Sequence, residues 1–164
     1  MLNACREIRL SYEVQFIKVY FTECQLIFHF PILICAAVII IKSQPVIVRE
    51  HLRKVPMASV CISSITQAEL LRGVAMKPEA KRLPIAVKEF LIRVEIMPWG
   101  SDAAEAYARL CTSCESEGTP LGTMDMLIAA HSVAVGAALV TNNQAFYKVK
   151  HHLSLEDWTR PYSH

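Results

Sequence analysis

The sequence lacks the motifs of several common enzyme classes. It has no GxSxG nucleophile elbow, no Walker phosphate-binding loop, no GxGxxG dinucleotide loop and no HExxH zinc motif. Nor does it have the excess of positive charge that marks many nucleic-acid-binding proteins, because its formal net charge is only +2. With these patterns absent, carboxylates and amides at the ends of predicted strands are the remaining candidates for chemistry.

The sequence also lacks an uninterrupted apolar run of the roughly 20 residues that a membrane span needs. The longest candidate, Leu26–Ile41, is shorter and contains His29 and Pro31. A membrane anchor is one interpretation of this run, and a buried strand leading into a helix is the preferred one. Residues 1–25 show no clear periodicity and are predicted to be an N-terminal extension, whereas residues 26–164 are predicted to form one domain.

The cysteines do not form a disulfide or zinc framework. The six are scattered through apolar segments, as expected for reduced, buried thiols of a cytoplasmic protein. A CxxC pair occurs inside a helical pattern, but no second pair completes a zinc site, so it is interpreted as a pair of core thiols. The cysteines are Cys5, Cys24, Cys35, Cys61, Cys111 and Cys114.

Predicted strands alternate with predicted helices along the chain. This order predicts a three-layer α/β/α sandwich with a central, mainly parallel sheet. In the last helix, Thr123 is the expected N-cap and Gly136 the expected left-handed residue at the end. The predicted strands are 59–63, 94–97 and 137–140, and the predicted helices are 46–55, 66–75, 84–93, 103–117 and 123–135.

Three polar side chains are predicted to meet at one edge of this sheet. Glu69 lies at the start of the helix after the second strand, Asp125 at the start of the helix before the last strand, and Asn143 just after that strand. The carboxyl ends of parallel strands form the edge at which open sheets bind ligands. Carboxylate oxygens are ligands for Mg²⁺ or Mn²⁺, so Glu69 and Asp125 are the predicted metal ligands.

Each of these residues also has a purely structural interpretation. Glu69 ends a capping box that begins at Thr66, Asp125 complements the dipole of its helix, and Asn143 is a common turn residue. A second capping box, Asp102–Glu105, is assigned wholly to capping. The residues alone do not decide between these interpretations.

From about Ile34 to Trp158 the chain resembles the VapC-type toxins of the PIN-domain ribonucleases. The resemblance implies a Mg²⁺- or Mn²⁺-dependent endoribonuclease, the toxin of a type II toxin–antitoxin system, usually dimeric and inhibited by a cognate antitoxin. It implies an RNA substrate, for example a structured RNA such as tRNA, and it matches the family's site residues to Glu69, Asp125 and Asn143. The segments that carry it are CISSITQAELLRGVA (61–75), DAAEAYARL (102–110), EGTPLGTMDMLIAAHSVAVGAALVTNNQAF (117–146) and LEDW (155–158).

One departure from the family pattern affects the predicted activity. The family's first strand ends in Asp-Thr-Asn, and its Asp is a central metal ligand. Counting along the sequence places those positions at Pro31, Ile32 and Leu33, none of which has a ligating side chain. The resemblance therefore implies a degenerate nuclease of low activity, and the alternative is an inactive PIN-like domain that only binds an antitoxin or RNA.

A displaced or frameshifted start of the reading frame would explain both the missing acid and the atypical first 33 residues. It predicts that another frame of the upstream DNA encodes a strand ending in Asp-Thr-Asn, which sequencing of the locus can check. Finding no such strand in any of the three frames would contradict the hypothesis.

Overall fold

The computed structural model describes residues 32–35 and 46–160, and the elements below are numbered within them. Five strands form one parallel sheet in the order β3-β2-β1-β4-β5. The strands are β1 (Ile32–Ile34), β2 (Val60–Ser63), β3 (Glu95–Met97), β4 (Ala138–Val140) and β5 (Leu155–Glu156). The helices are α1 (Val46–Lys54), α2 (Ser64–Ala75), α3 (Arg82–Leu91), α4 (Ser101–Ser116), α5 (Thr123–Ala134) and α6 (Gln144–Tyr147), with a 3₁₀ turn at Met57–Ser59.

The sheet separates two apolar cores, because successive side chains of a strand point to opposite faces. Leu33 and its neighbours Cys61 and Leu139 face one core, which α4, α5 and α6 cover. Ile34 and Val140 face the other core, which α1, α2 and α3 cover. This is the predicted three-layer α/β/α architecture, and it confirms the predicted fold class.

Most of the predicted elements are present. The strand predicted inside Leu26–Ile41 is β1, at the centre of the sheet, and no helix in the described parts of the chain is both long and apolar enough to cross a bilayer. The strand β5 was not predicted. Its backbone continues the parallel pairing beside β4, while the buried Trp158 that follows stacks on His51 at a centroid distance of 5.7 Å.

The predicted caps at the helix N-termini are wrong. Ser63 caps α2, because its Oγ accepts the amide hydrogen of Ile65 at 3.1 Å, and Thr66 lies buried inside the helix. The N-caps of α4 and α5 are Gly100 and Gly122, one or two residues before the side chains that were predicted to cap these helices. No described side chain caps either helix. The capping-box explanation of Glu69 therefore does not hold.

The assignment of Asp102–Glu105 wholly to capping is wrong for the same reason. Asp102 lies in the first turn of α4, where its charge favours the helix dipole. Glu105 instead faces Arg109 one turn later, with 3.7 Å between its Oε2 and the guanidinium Nη1.

The end of α5 depends on a glycine. Gly136 has φ of +63°, in the left-handed region, as predicted. We expect Gly136→Ala to lower the free energy of unfolding by about 1 kcal/mol, because a Cβ disfavours this conformation. Gly73→Ala is the matched control. Gly73 lies within α2 with open space around it, so alanine there should raise stability by about 0.5–1 kcal/mol. Urea denaturation of the two variants measures both changes, and equal effects would contradict this account.

Candidate active site

The carboxyl ends of the three central strands deliver polar residues to one edge of the sheet. Strand β1 lies between β2 and β4 and is followed by Cys35, whose amide donates to the carbonyl of Val140 at 3.1 Å. Strand β2 ends at Ser63 and continues directly into α2. Strand β4 is followed by Thr141 and the loop that leads to Asn143. The topology therefore gathers three chain segments at the position where parallel sheets bind ligands.

Asp125 and Asn143 are in direct contact at this edge. Asp125 lies in the first turn of α5 and is half-buried. The side-chain amide of Asn143 donates a hydrogen bond to Asp125 Oδ2 at 3.1 Å, while its Oδ1 accepts the amide hydrogen of Ala145 and caps α6. The amide of Asn143 in turn donates to Oγ1 of the buried Thr141 at 3.1 Å. Asn143 thus orients the Asp125 carboxylate and is more than an ordinary turn residue.

Glu69 reaches the same edge from the opposite face of the sheet. It lies in the second turn of α2, beyond the reach of the helix amides that a capping residue would satisfy. Burial raises the pKa of its carboxyl group, and the negative charge of Asp125 raises it further, while Arg72 lowers it. The two predicted metal ligands are therefore close enough to repel each other.

Cys35 completes the group. Its side chain is half-buried, packs on the α4–α5 side of the sheet and hydrogen-bonds to Thr141. Burial, followed by the charges of Glu69 and Asp125, raises the pKa of its thiol to about 12, so the thiol is neutral at physiological pH. A neutral thiol thus lies beside two carboxylates at the end of the central strand.

The residue that approaches the two acids is not one of the three positions that sequence counting gave for the family's Asp-Thr-Asn. Pro31 lies outside the described residues. Ile32 and Leu33 lie within β1, where Leu33 is fully buried in the core and Ile32 packs against the opposite core. The residue that follows the strand and approaches the two acids is Cys35, which the sequence analysis did not identify as a site residue.

A buried hydrogen bond holds the two acid-bearing helices together. Nδ1 of His131, on α5, lies 2.8 Å from Oγ of Ser63, at the start of α2, and both side chains are fully buried. Trp99 adds a second connection, because its amide donates to Oγ of Ser64 and its indole Nε1–H donates to the carbonyl of Leu127, both at 3.1 Å. His131 is thus one of the buried polar groups of the core.

The CxxC pair has no metal-site geometry. Cys114 is fully buried in the core, whereas Cys111 is half-buried and donates its S–H to Glu115 at 3.4 Å. Cys114 is thus a core thiol as predicted, whereas Cys111 lies at the margin of the core.

The donor set at the sheet edge suits a hard divalent cation in part. The charge of Asp125 raises the pKa of Glu69, and a positive ion between the two carboxylates would offset this repulsion. Mg²⁺ and Mn²⁺ prefer oxygen ligands of this kind. The Cys35 thiol does not fit this preference, since it contributes neither oxygen nor negative charge. Glu69 and Asp125 would hold such an ion, with one acid fewer than the family pattern implies.

Comparison with known proteins identifies the fold and the family together. The PIN domain matches residues 36–152. The chain belongs to the PIN-domain family. The ribonuclease VapC2 of Rickettsia felis is 36% identical over 62% of this chain and 76% of its own length. The tRNA(fMet)-specific endonuclease VapC of Salmonella typhimurium is 31% identical over 72% of this chain and 89% of its own length.

Two solved complexes contain the same architecture. VapBC2 of R. felis, bound to a DNA fragment from its promoter, superposes with a TM-score of 0.69 at 33% identity, covering 77% of this chain and 97% of the other. DNA-bound VapBC of S. typhimurium gives 0.71 at 29% identity over 79% and 98%. The chain is thus a VapC-type PIN-domain protein, as the sequence motifs implied.

The buried His131 should make the free energy of unfolding depend on pH. Burial lowers the pKa of its imidazole, whereas the unfolded chain binds a proton near pH 6.5. The free energy of unfolding should thus be unaffected by this group above pH about 6.5 and fall at lower pH, by at most about 1.4 kcal/mol per pH unit. Urea denaturation at pH 7.5 and 5.5 should show a larger loss for the wild type than for His131→Gln. An equal loss in both would contradict the assignment.

Proposed function

We propose that this VapC-type protein is a divalent-metal-dependent endoribonuclease, the toxin of a type II toxin–antitoxin pair, whose metal site is weakened by Cys35. The observation that supports this most directly is the meeting of Asp125, Asn143 and Glu69 at one sheet edge. Family membership supports RNA cleavage, since relatives across this family are named ribonucleases. We assign metal binding to Glu69 and Asp125 and orientation of Asp125 to Asn143.

The chemistry follows from the charges at the edge. When bound, a divalent cation lowers the pKa of a coordinated water and neutralises phosphodiester charge. Asp125 is fixed in orientation by Asn143, so it does not have to be ordered when an ion arrives. Glu69 has a raised pKa and is the group whose protonation would first compete with a cation as the pH falls.

A neutral thiol at the position that approaches the two acids should leave the site weak. Each carboxylate in an oxygen-ligand site contributes charge that sets cation affinity. Cys35 adds a side chain that stays protonated beside Glu69 and Asp125. We therefore propose low activity for the chain as it stands, and this is a property of position 35 rather than of the fold.

The substrate we propose is a tRNA. The S. typhimurium relative is named for tRNA(fMet) and covers most of this domain, so the initiator tRNA is the first substrate to test. The solved relatives are complexes of toxin with antitoxin. We propose that this chain also binds an antitoxin and forms a homodimer.

The neutral thiol of Cys35 beside the two acids favours a second candidate function. If Cys35 prevents metal binding altogether, the protein is an inactive PIN-like domain that binds antitoxin or RNA without cleaving it. Metal-dependent hydrolysis distinguishes the two candidates, because binding alone is common to both.

Cleavage of initiator tRNA with Mn²⁺ tests the proposal. We expect weak cleavage by the wild type and cleavage at least about tenfold faster by Cys35→Asp, since lost metal-site interactions commonly cost 10–100-fold. Adding Asp125→Asn to that variant should abolish the gain, and so should EDTA. Asp102→Asn, an exposed acid in the first turn of α4, is the matched control and should change nothing.

Two outcomes would change the assignment. Strong cleavage by the wild type that requires Asp125 would support the nuclease but overturn the weakening role of Cys35. No cleavage by any variant, together with no Mn²⁺ binding by Cys35→Asp in calorimetry, would overturn the metal-dependent nuclease and leave the binding function.

A further inference from the structure

A second cluster of potential metal ligands lies outside the sheet edge. Glu117 follows the last residue of α4, and His151 and His152 lie in the turn after α6. Their ligand atoms all lie within 4.8 Å of one another. Nε2 of His151 is 2.8 Å from Glu117 Oε2, and Nε2 of His152 is 3.1 Å from Oε1. The fold thus brings His151 and His152, 34 and 35 positions along the chain from Glu117, to its carboxylate.

The backbone around these side chains is well anchored. The amide of Glu117 donates to the carbonyl of Ser113 at 3.0 Å, and the next residue, Gly118, turns the chain with φ of +69°. On the other side, the buried Val149 and Leu153 bracket the two histidines. The amide of His152 closes the turn on the carbonyl of Val149 at 3.0 Å. The three ligands therefore extend from fixed main chain rather than from a free tail.

The electrostatics of the cluster favour a cation. Glu117 contributes a carboxylate to the cluster, and both imidazoles are directed at it. The carboxyl end of α4 adds the partial negative charge of a helix C-terminus. The imidazole rings are 4.1 Å apart between centroids and tilted by 44°, so both nitrogens face the same carboxylate without stacking.

We propose that Glu117, His151 and His152 bind Zn²⁺, and that the ion links the end of α4 to the segment that precedes β5. Two imidazole nitrogens and one carboxylate oxygen are a known zinc ligand set, with the fourth position open to water. Tetrahedral donors about 2.0–2.1 Å from zinc lie about 3.3 Å from one another. Nε2 of His151 and Nε2 of His152 lie 2.8 and 3.3 Å from Glu117 Oε2, close to this value, and all three ligand atoms lie within 4.8 Å of one another. Mg²⁺ fits this site poorly, because it prefers oxygen ligands and two of the three ligands are imidazole nitrogens.

This proposal is independent of the nuclease function. It concerns residues that neither contact Asp125 nor belong to the sheet edge, and its readout is metal binding by the intact chain. The site is solvent-accessible, since the side chains of His151 and Glu117 are 54% and 36% exposed. An ion can therefore reach it without unfolding.

Zinc binding to the full-length chain, measured by competition with a chromogenic chelator under reducing conditions, tests the proposal. We expect one Zn²⁺ per chain whose affinity falls more than about tenfold in Glu117→Gln and in a His151→Gln/His152→Gln variant. Glu105→Gln, which changes an exposed glutamate on α4 away from the cluster, is the matched control and should bind zinc as the wild type does. Zinc should also raise the melting temperature of the wild type but not that of the double histidine variant.

A spectroscopic measurement separates this site from the thiols. Co²⁺ bound to nitrogen and oxygen ligands should give visible absorption bands without the near-ultraviolet thiolate charge-transfer band. Equal zinc affinity in the wild type and the double histidine variant would overturn the proposal, and so would a thiolate band of full intensity. Circular dichroism of each variant shows whether it is folded, and Glu117→Gln alone keeps the test valid if the histidine variant is not.

Discussion

The hydrogen bond between Ser63 and His131 is the contact on which the candidate site depends. It is buried between the β2–α2 junction and α5, and these elements carry Glu69 and Asp125, respectively. A buried polar pair is costly when one partner is missing, so it fixes the approach of the two helices more narrowly than apolar packing does. Two acids from opposite faces of a sheet are thereby held at one edge, although they repel each other.

The centre of that edge is formed by the end of β1, the strand that lies between β2 and β4. Its residues Leu33 and Ile34 are completely buried and are fixed by packing on both sides of the sheet. The residue that follows is then forced to the edge, whatever its chemistry. In this chain it is Cys35, which packs where a charged ligand would serve a metal site. We therefore propose that a change of side chain at this position alters the chemistry of the edge more than the fold.

The sequence was sufficient to predict the layers of the fold, because apolar strands, helical spacing and the family motifs all agreed. It also predicted the edge at which Asp125 and Asn143 are in contact. It was not sufficient to place Cys35, since the register of β1 depends on its pairing with Ala138 and Val140 in a distant strand. The helix starts were mispredicted because Ser63 at the end of a strand can cap a helix as well as Thr66 can. Single-residue capping signals compete, and tertiary context decides among them.

The side chain at position 35 should affect both the stability of the metal-free protein and the proposed affinity for a cation. Asp125 already raises the pKa of Glu69, which means that the metal-free protein holds two like charges in unfavourable proximity. A third carboxylate in place of Cys35 would add repulsion that only a bound cation could offset. An acid at this position would thus improve metal affinity and lower the stability of the metal-free fold at the same time. The neutral thiol should have the opposite effect on both, and we therefore propose that this chain combines a stable VapC-type scaffold with a weak metal site.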